Sequence, residues 1–158
     1  MQNAKDTFYV TLRDRLANLN AERTILLRGV TRPAILIEEN ELSTRASSAG
    51  VFVLRWRKLS HNVQASAGLD SAGCEIRYAV ADDSVVHRGR VLNAMDAELL
   101  AVLTPAWALK QLFTISSAVN MRTRIFWSAP VFEALSAGDG VLERTAKVDV
   151  FAYREASE

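Results

Sequence analysis

Asp82, Asp83 and His87 are spaced so that they could gather a cation, because carboxylates and imidazole are ordinary ligands for one. Carboxylates that precede a helix also stabilise its positive end, and helix capping is the reading favoured for this cluster. A structural zinc site needs about four Cys, His or carboxylate ligands. One cysteine and two histidines, His61 and His87, do not supply them. A nucleophilic thiol needs an adjacent base and an electropositive setting. Cys74 instead alternates in phase with Ile76, Tyr78 and Val80, which makes it a packing residue. The chain has no GxxxxGK[ST] or GxGxxG turn to cradle a phosphate and no GxSxG elbow. Its serines gather at 43–48 and 60–71, where loop composition accounts for them. No catalytic, cofactor-binding or metal-ligating residue is assigned, no cofactor is expected, and the chain is not expected to be an enzyme.

Arg55, Arg57, Lys58 and His61, joined by Arg45, make the one local basic concentration, with Trp56 inside it. An aromatic among cations can bind single-stranded nucleic acid. Strand alternation turns Trp56 away from Arg55 and Arg57, so a solvated or partner-facing surface is expected and nucleic acid is not. Trp107, Trp127, Phe151 and Tyr153 are core or interface candidates, since aromatics supply large contact area in both settings.

The elements that position these residues follow from periodicity. Phe8, Leu12, Leu16 and Leu19 recur on one helical face between about Asn3 and Leu19, with Asn3 as N-cap and Asn18 and Asn20 as stop signals. RTILLRG and AILIEEN, separated by Gly and Pro, read as a hairpin, and 40–50 as an exposed loop. VFVLRWRK presents Phe52, Leu54 and Trp56 on one face, and GCEIRYAVAD presents Cys74, Ile76, Tyr78 and Val80. The stretch 60–73 between them reads as flexible. A second helix spans about Val86–Leu103 with Val91, Leu92, Met95, Leu99 and Val102 as its stripe and Arg88, Arg90, Asp96 and Glu98 mostly off it. Asp82, Asp83 and Ser84 precede it as caps, and Pro105 ends it. WALKQLFTISSAV fits neither period. MRTRIFWS and VLERTAKVDVFAY, joined by the turn SAGDG, close the chain as strands, with Val148 and Val150 alternating with Lys147 and Asp149. The expected fold is α+β: one domain over 1–158, a two-layer sandwich whose mainly antiparallel sheet is covered on one face by two helices.

Composition sets the outer limits. The 158 residues are enough to bury a core, and a net charge of +1 supplies no global field for a polyanion or an anionic membrane. The lone cysteine, the absence of a signal-peptide run at the N-terminus and the absence of a long apolar stretch lead to the expectation of a cytoplasmic protein without a membrane partner.

The order of elements resembles the tail-terminator and tail-completion proteins of long-tailed bacteriophages and related contractile particles. An N-terminal helix (FYVTLRDRLANL), a strand leading to a helix (CEIRYAVADDSVVHRGRVLNAMDAELLAVL) and a long final strand (ERTAKVDVFAY) carry the likeness. The connection at 104–121 and the loop at 40–50 fall outside it. The resemblance implies a minor tail protein: a homo-oligomeric ring, a hexamer by that likeness, that caps the tail tube and meets head-proximal proteins. Such a protein would assemble in the bacterial cytoplasm and end in a virion or phage-like particle. It transfers no site residue. The alternatives are another binding or scaffold domain of the same architecture, and an enzyme whose site is not visible in sequence.

Overall fold

The computed structural model describes residues 1–41, 49–62, 68–81, 85–138 and 140–154. Helix α1 (Gln2–Leu19) buries Ala4, Phe8, Leu12 and Leu16 at a strict spacing of four. Leu19, expected on that face, is 50% exposed, because the apolar row ends one turn earlier. Met1 rather than Asn3 occupies the N-cap, without a side-chain cap. The stop at Asn20 has a visible cause. Its side-chain oxygen accepts the backbone N–H groups of Glu22 and Arg23, both at 3.2 Å, which folds the chain into a turn that competes with helix.

Strands β1 (Thr24–Leu27) and β2 (Val30–Pro33) form an antiparallel hairpin across Arg28 and Gly29. Both turn residues have positive φ, 50° and 80°, the backbone of a tight two-residue hairpin. The expected pairing of RTILLRG with AILIEEN is thereby corrected. The turn falls at Arg28-Gly29, so VTRP supplies the partner strand, and β3 (Ile35–Ile37) leaves for the main sheet. Its three residues are all buried, as an apolar run covered on both faces should be. A short helix, α2 (Glu38–Glu41), begins before the expected loop, most of which (42–48) lies outside the described residues.

Strands β4 (Phe52–Asn62) and β5 (Leu69–Ala81) are longer than their alternation suggests. Most of the supposed flexible stretch at 60–73 is strand, and 63–67 lies outside the described residues. The pattern was obscured by a bulge. Trp56 pairs with Cys74 and Leu59 with Ala72, so Arg57 and Lys58 together oppose Gly73 and the period of two breaks there. Helix α3 (Val85–Val102) follows. The uncommitted stretch is a strand, β6 (Trp107–Phe113), hairpinned to β7 (Ala118–Trp127). Two short strands, β8 (Val131–Phe132) and β9 (Ser136–Gly138), pair with the long β10 (Val141–Tyr153), so part of the expected SAGDG turn is strand, with Asp139 outside the described residues.

The main sheet has the order β3-β4-β5-β10-β7-β6, parallel between β3 and β4 and antiparallel elsewhere. It curls, and the fold is mixed α and β. Phe52, Leu54, Trp56, Cys74, Ile76, Tyr78, Val80, Ile125, Trp127, Val148 and Val150 are buried in one cluster with Phe8, Leu12 and Leu16 of α1 and Leu92, Met95, Leu99 and Val102 of α3. The strand phases expected from alternation hold. Each such buried aliphatic contributes about 1.5–3 kcal/mol relative to exposure. Phe8 stands edge-on to Trp56 and Trp127, with centroids 5.8 and 5.3 Å away. Ala34, Leu36, Val51 and Val53 form a second cluster, against which Ile25 and Leu27 of β1 pack. The β1–β2 hairpin therefore covers part of the sheet's other face.

Candidate interaction surfaces

Helix α1 lies within the curl and reaches both terminal strands of the sheet. At the β3 edge, the Tyr9 hydroxyl donates to Ile35 O at 3.2 Å and Glu41 accepts the Ile37 N–H at 3.0 Å. Arg32 binds both, donating to the Tyr9 oxygen at 2.5 Å and pairing with Glu41. Burial, reinforced by the Glu41 charge, pushes the Tyr9 hydroxyl up in pKa despite Arg32. At the β6 edge, Thr7 Oγ1 accepts the Gln111 N–H at 2.9 Å. Arg15 donates to Val102 O at 3.0 Å, Pro105 O at 2.7 Å and Trp107 O at 3.4 Å. Side chains thus occupy backbone groups on both outer strands that would otherwise offer a template for another strand.

Among the described residues, Arg55 and Arg57 of the basic concentration are paired with carboxylates. Arg55 and Arg77 both meet Glu38, at 3.7 and 2.7 Å, Arg57 meets Glu75 at 2.7 Å, and Lys147 meets Glu133 at 2.5 Å. Cations and carboxylates alternate across β4, β5 and β10, so the local field is neutralised. Trp56 is buried, as its phase required, with the Lys5 ammonium 5.2 Å from its ring. Arg45 and the His61 side chain lie outside the described residues.

Cys74 is buried, and loss of solvation pushes its thiol far above the usual range, with Glu75 adding to the effect. It has the environment of packing rather than of attack. Asp82 and Asp83 lie outside the described residues, while His87 is exposed on α3. Among the described residues no group of three or more His, Cys, Asp or Glu side chains is placed to hold a metal ion, and no helix is long and apolar enough to cross a membrane.

Two carboxylates on α3 have partners that the sequence reading did not name. Asp96 and Glu98, placed off the apolar stripe, face polar groups on the sheet and on the turn after α1. The Tyr78 hydroxyl donates to Asp96 at 2.5 Å and Arg144 donates to the other oxygen at 2.7 Å. Glu98 accepts from Arg23 and, at 2.9 Å, from Asn20. Burial, and then the Asp96 carboxylate, push the Tyr78 hydroxyl up. A tyrosine so held is a donor locked to one acceptor. No spacing in the sequence announces either cluster, because the partners lie on different elements.

The remaining surface is apolar in places. Phe126 stacks on Phe151 with centroids 5.3 Å apart, Tyr153 leans on Phe126 at 6.0 Å, and Arg124 lies 4.6 Å above the Trp107 ring. Of the four aromatic candidates, Trp127 is core, Phe151 half-buried, and Trp107 and Tyr153 exposed. At the tip of the β6–β7 hairpin, Leu112, Ile115 and Val119 face solvent. Near the C-terminal ends of α1 and α3, Arg15, Asn18, Leu19, Ala101, Val102 and Thr104 line an open groove of about 350 Å³. No family model matches the chain, and no curated protein matches it.

Proposed function

We propose that the chain is a non-enzymatic assembly protein that closes into a homo-oligomeric ring, caps a tail tube and joins it to head-proximal components, as the tail terminators it resembles do. The fold reading that accompanies this is one domain, a two-layer sandwich in which α1 and α3 share one face of a mainly antiparallel sheet. The observation that carries the proposal is the unlikeness of the molecule's two ends. An apolar hairpin tip projects at one end of β6 and a groove opens at the other, so one subunit presents two different surfaces. A ring of head-to-tail contacts requires that asymmetry. The occupied outer strands favour association through faces and tips over strand addition.

Mass photometry and negative-stain microscopy on the purified chain test the proposal. Annular particles of one stoichiometry support it, and a chain that stays monomeric at high micromolar concentration, alone and with tube protein, refutes it. A second reading, a binding or scaffold domain of the same architecture, draws on the outward aromatic row of Trp107, Phe126, Phe151 and Tyr153.

A further inference from the structure

The hairpin tip and the groove sit at opposite ends of α1. Thr7 meets Gln111 while Arg15 meets Trp107 and Pro105, so β6 runs antiparallel to the helix. The tip therefore lies beyond the start of α1 and the groove beside its end, separated by the 18-residue length of the helix, roughly 27 Å at 1.5 Å per residue.

The tip is built to hold its shape. Thr114 N–H donates to Ser117 O at 2.8 Å, and Ser117 N–H donates to Thr114 Oγ1 at 3.1 Å, which pins the turn that carries Ile115. Ile115 is 109% exposed, as open as in an extended peptide, and Leu112 and Val119 oppose each other directly behind it. An aliphatic cluster held rigidly in water loses little conformational freedom on docking, which favours a specific contact.

The groove's chemistry selects for such a knob. Leu19 and Ala101 supply its exposed apolar side chains, with Val102 buried beneath them. Arg15 is engaged by the Val102, Pro105 and Trp107 carbonyl oxygens and lies 5.3 Å from the Trp127 ring, so its guanidinium is committed within the fold. The C-terminal ends of two helices converge here, and their dipoles disfavour an anion. The Arg15 charge in the lining in turn disfavours a cation, which leaves a site for an uncharged, aliphatic group.

We propose that Ile115 of one copy of this chain seats in the groove between the ends of α1 and α3 of the next copy, forming a head-to-tail contact that repeats. The inference rests on the ring reading given above and names its contact. A knob and a matching hole on one surface propagate, closing into a ring when the rotation per copy permits.

Sedimentation velocity on the full chain over a range of concentrations tests it. Ile115→Asp and Ala101→Arg, both at exposed positions, each weaken self-association by roughly tenfold or more, with circular dichroism and melting temperature unchanged. Mixed in equal amounts, the two variants form a heterodimer and nothing larger, because only the knob of one and the groove of the other remain intact. Assembly of either variant at wild-type strength overturns the contact, as does a mixture that stays monomeric. A wild-type chain that is monomeric at every concentration overturns the contact and the ring reading together. Rings that persist in both variants overturn the contact alone.

Discussion

Thr7 and Gln111 lie 104 positions apart, and the Thr7 hydroxyl is at once acceptor for the Gln111 N–H at 2.9 Å and donor to Asn3 O at 2.6 Å. One buried side chain thereby ties the first helix to an outer strand of the sheet. Thr7→Val keeps the shape and removes both bonds. It is expected to cost about 1–3 kcal/mol, because a backbone donor is left without a partner. Urea unfolding measures the loss, and an unchanged midpoint would show that Gln111 finds another acceptor.

Val150 and Lys147 should separate folding from surface chemistry. Val150 is fully buried, whereas the Lys147 side chain is 51% exposed and pairs with Glu133. Val150→Asp places an unpaired carboxylate in the core at a cost of several kcal/mol, comparable with a domain's total stability of about 5–15. Lys147→Ala is expected to change stability by less than about 1 kcal/mol. Circular dichroism on the two variants checks both outcomes, and a folded Val150→Asp protein would contradict the core phase of β10.

Glu98 makes part of the fold acid-sensitive. Burial raises its carboxyl pKa, but hydrogen bonds from Arg23 and Asn20 and the Arg23 charge outweigh burial and leave it below the ordinary 4.5. A carboxyl whose folded pKa lies below its unfolded one stabilises the protein above the unfolded value, and that contribution is lost as pH falls through the folded one. Glu98→Gln should therefore lower stability at neutral pH and flatten the stability curve as pH falls below the ordinary 4.5. Chemical denaturation at a series of pH values follows this directly. Parallel curves for the variant and wild type would remove Glu98 from the account.

The Cys74 thiol should resist a disulfide reagent at pH 8 in the native protein and react at once in denaturant. Burial keeps it protonated and out of reach. Rapid native labelling would mean that β5 opens on the timescale of the reaction.

Regular alternation made much of the core legible. Cys74, Ile76, Tyr78 and Val80 could be placed on the inner face from spacing alone, as could Phe8, Leu12 and Leu16 on α1. Strand β6 could not, because Lys110 occupies a buried position where an apolar residue would have completed the pattern. Its ammonium donates to Tyr153 O at 2.9 Å, a partner 43 residues away. Long-range polar pairing also hid the inward roles of Asp96 and Glu98. The knob was equally hidden, since the exposure of Ile115 depends on a turn that composition leaves ambiguous. For Lys110, Asp96 and Glu98 the deciding contact joins distant segments, and periodicity describes only neighbours.

Strand β10 stands between β5 and β7 although it is the last strand of the described chain. During synthesis, β3, β4 and β5 on one side and β6 and β7 on the other emerge before the strand that joins them exists. α1, which precedes both halves in the chain, contacts elements of each. The sheet is consequently completed in one late step from its centre, with the open edges of β5 and β7 exposed to other nascent chains until residues 141–153 have left the ribosome.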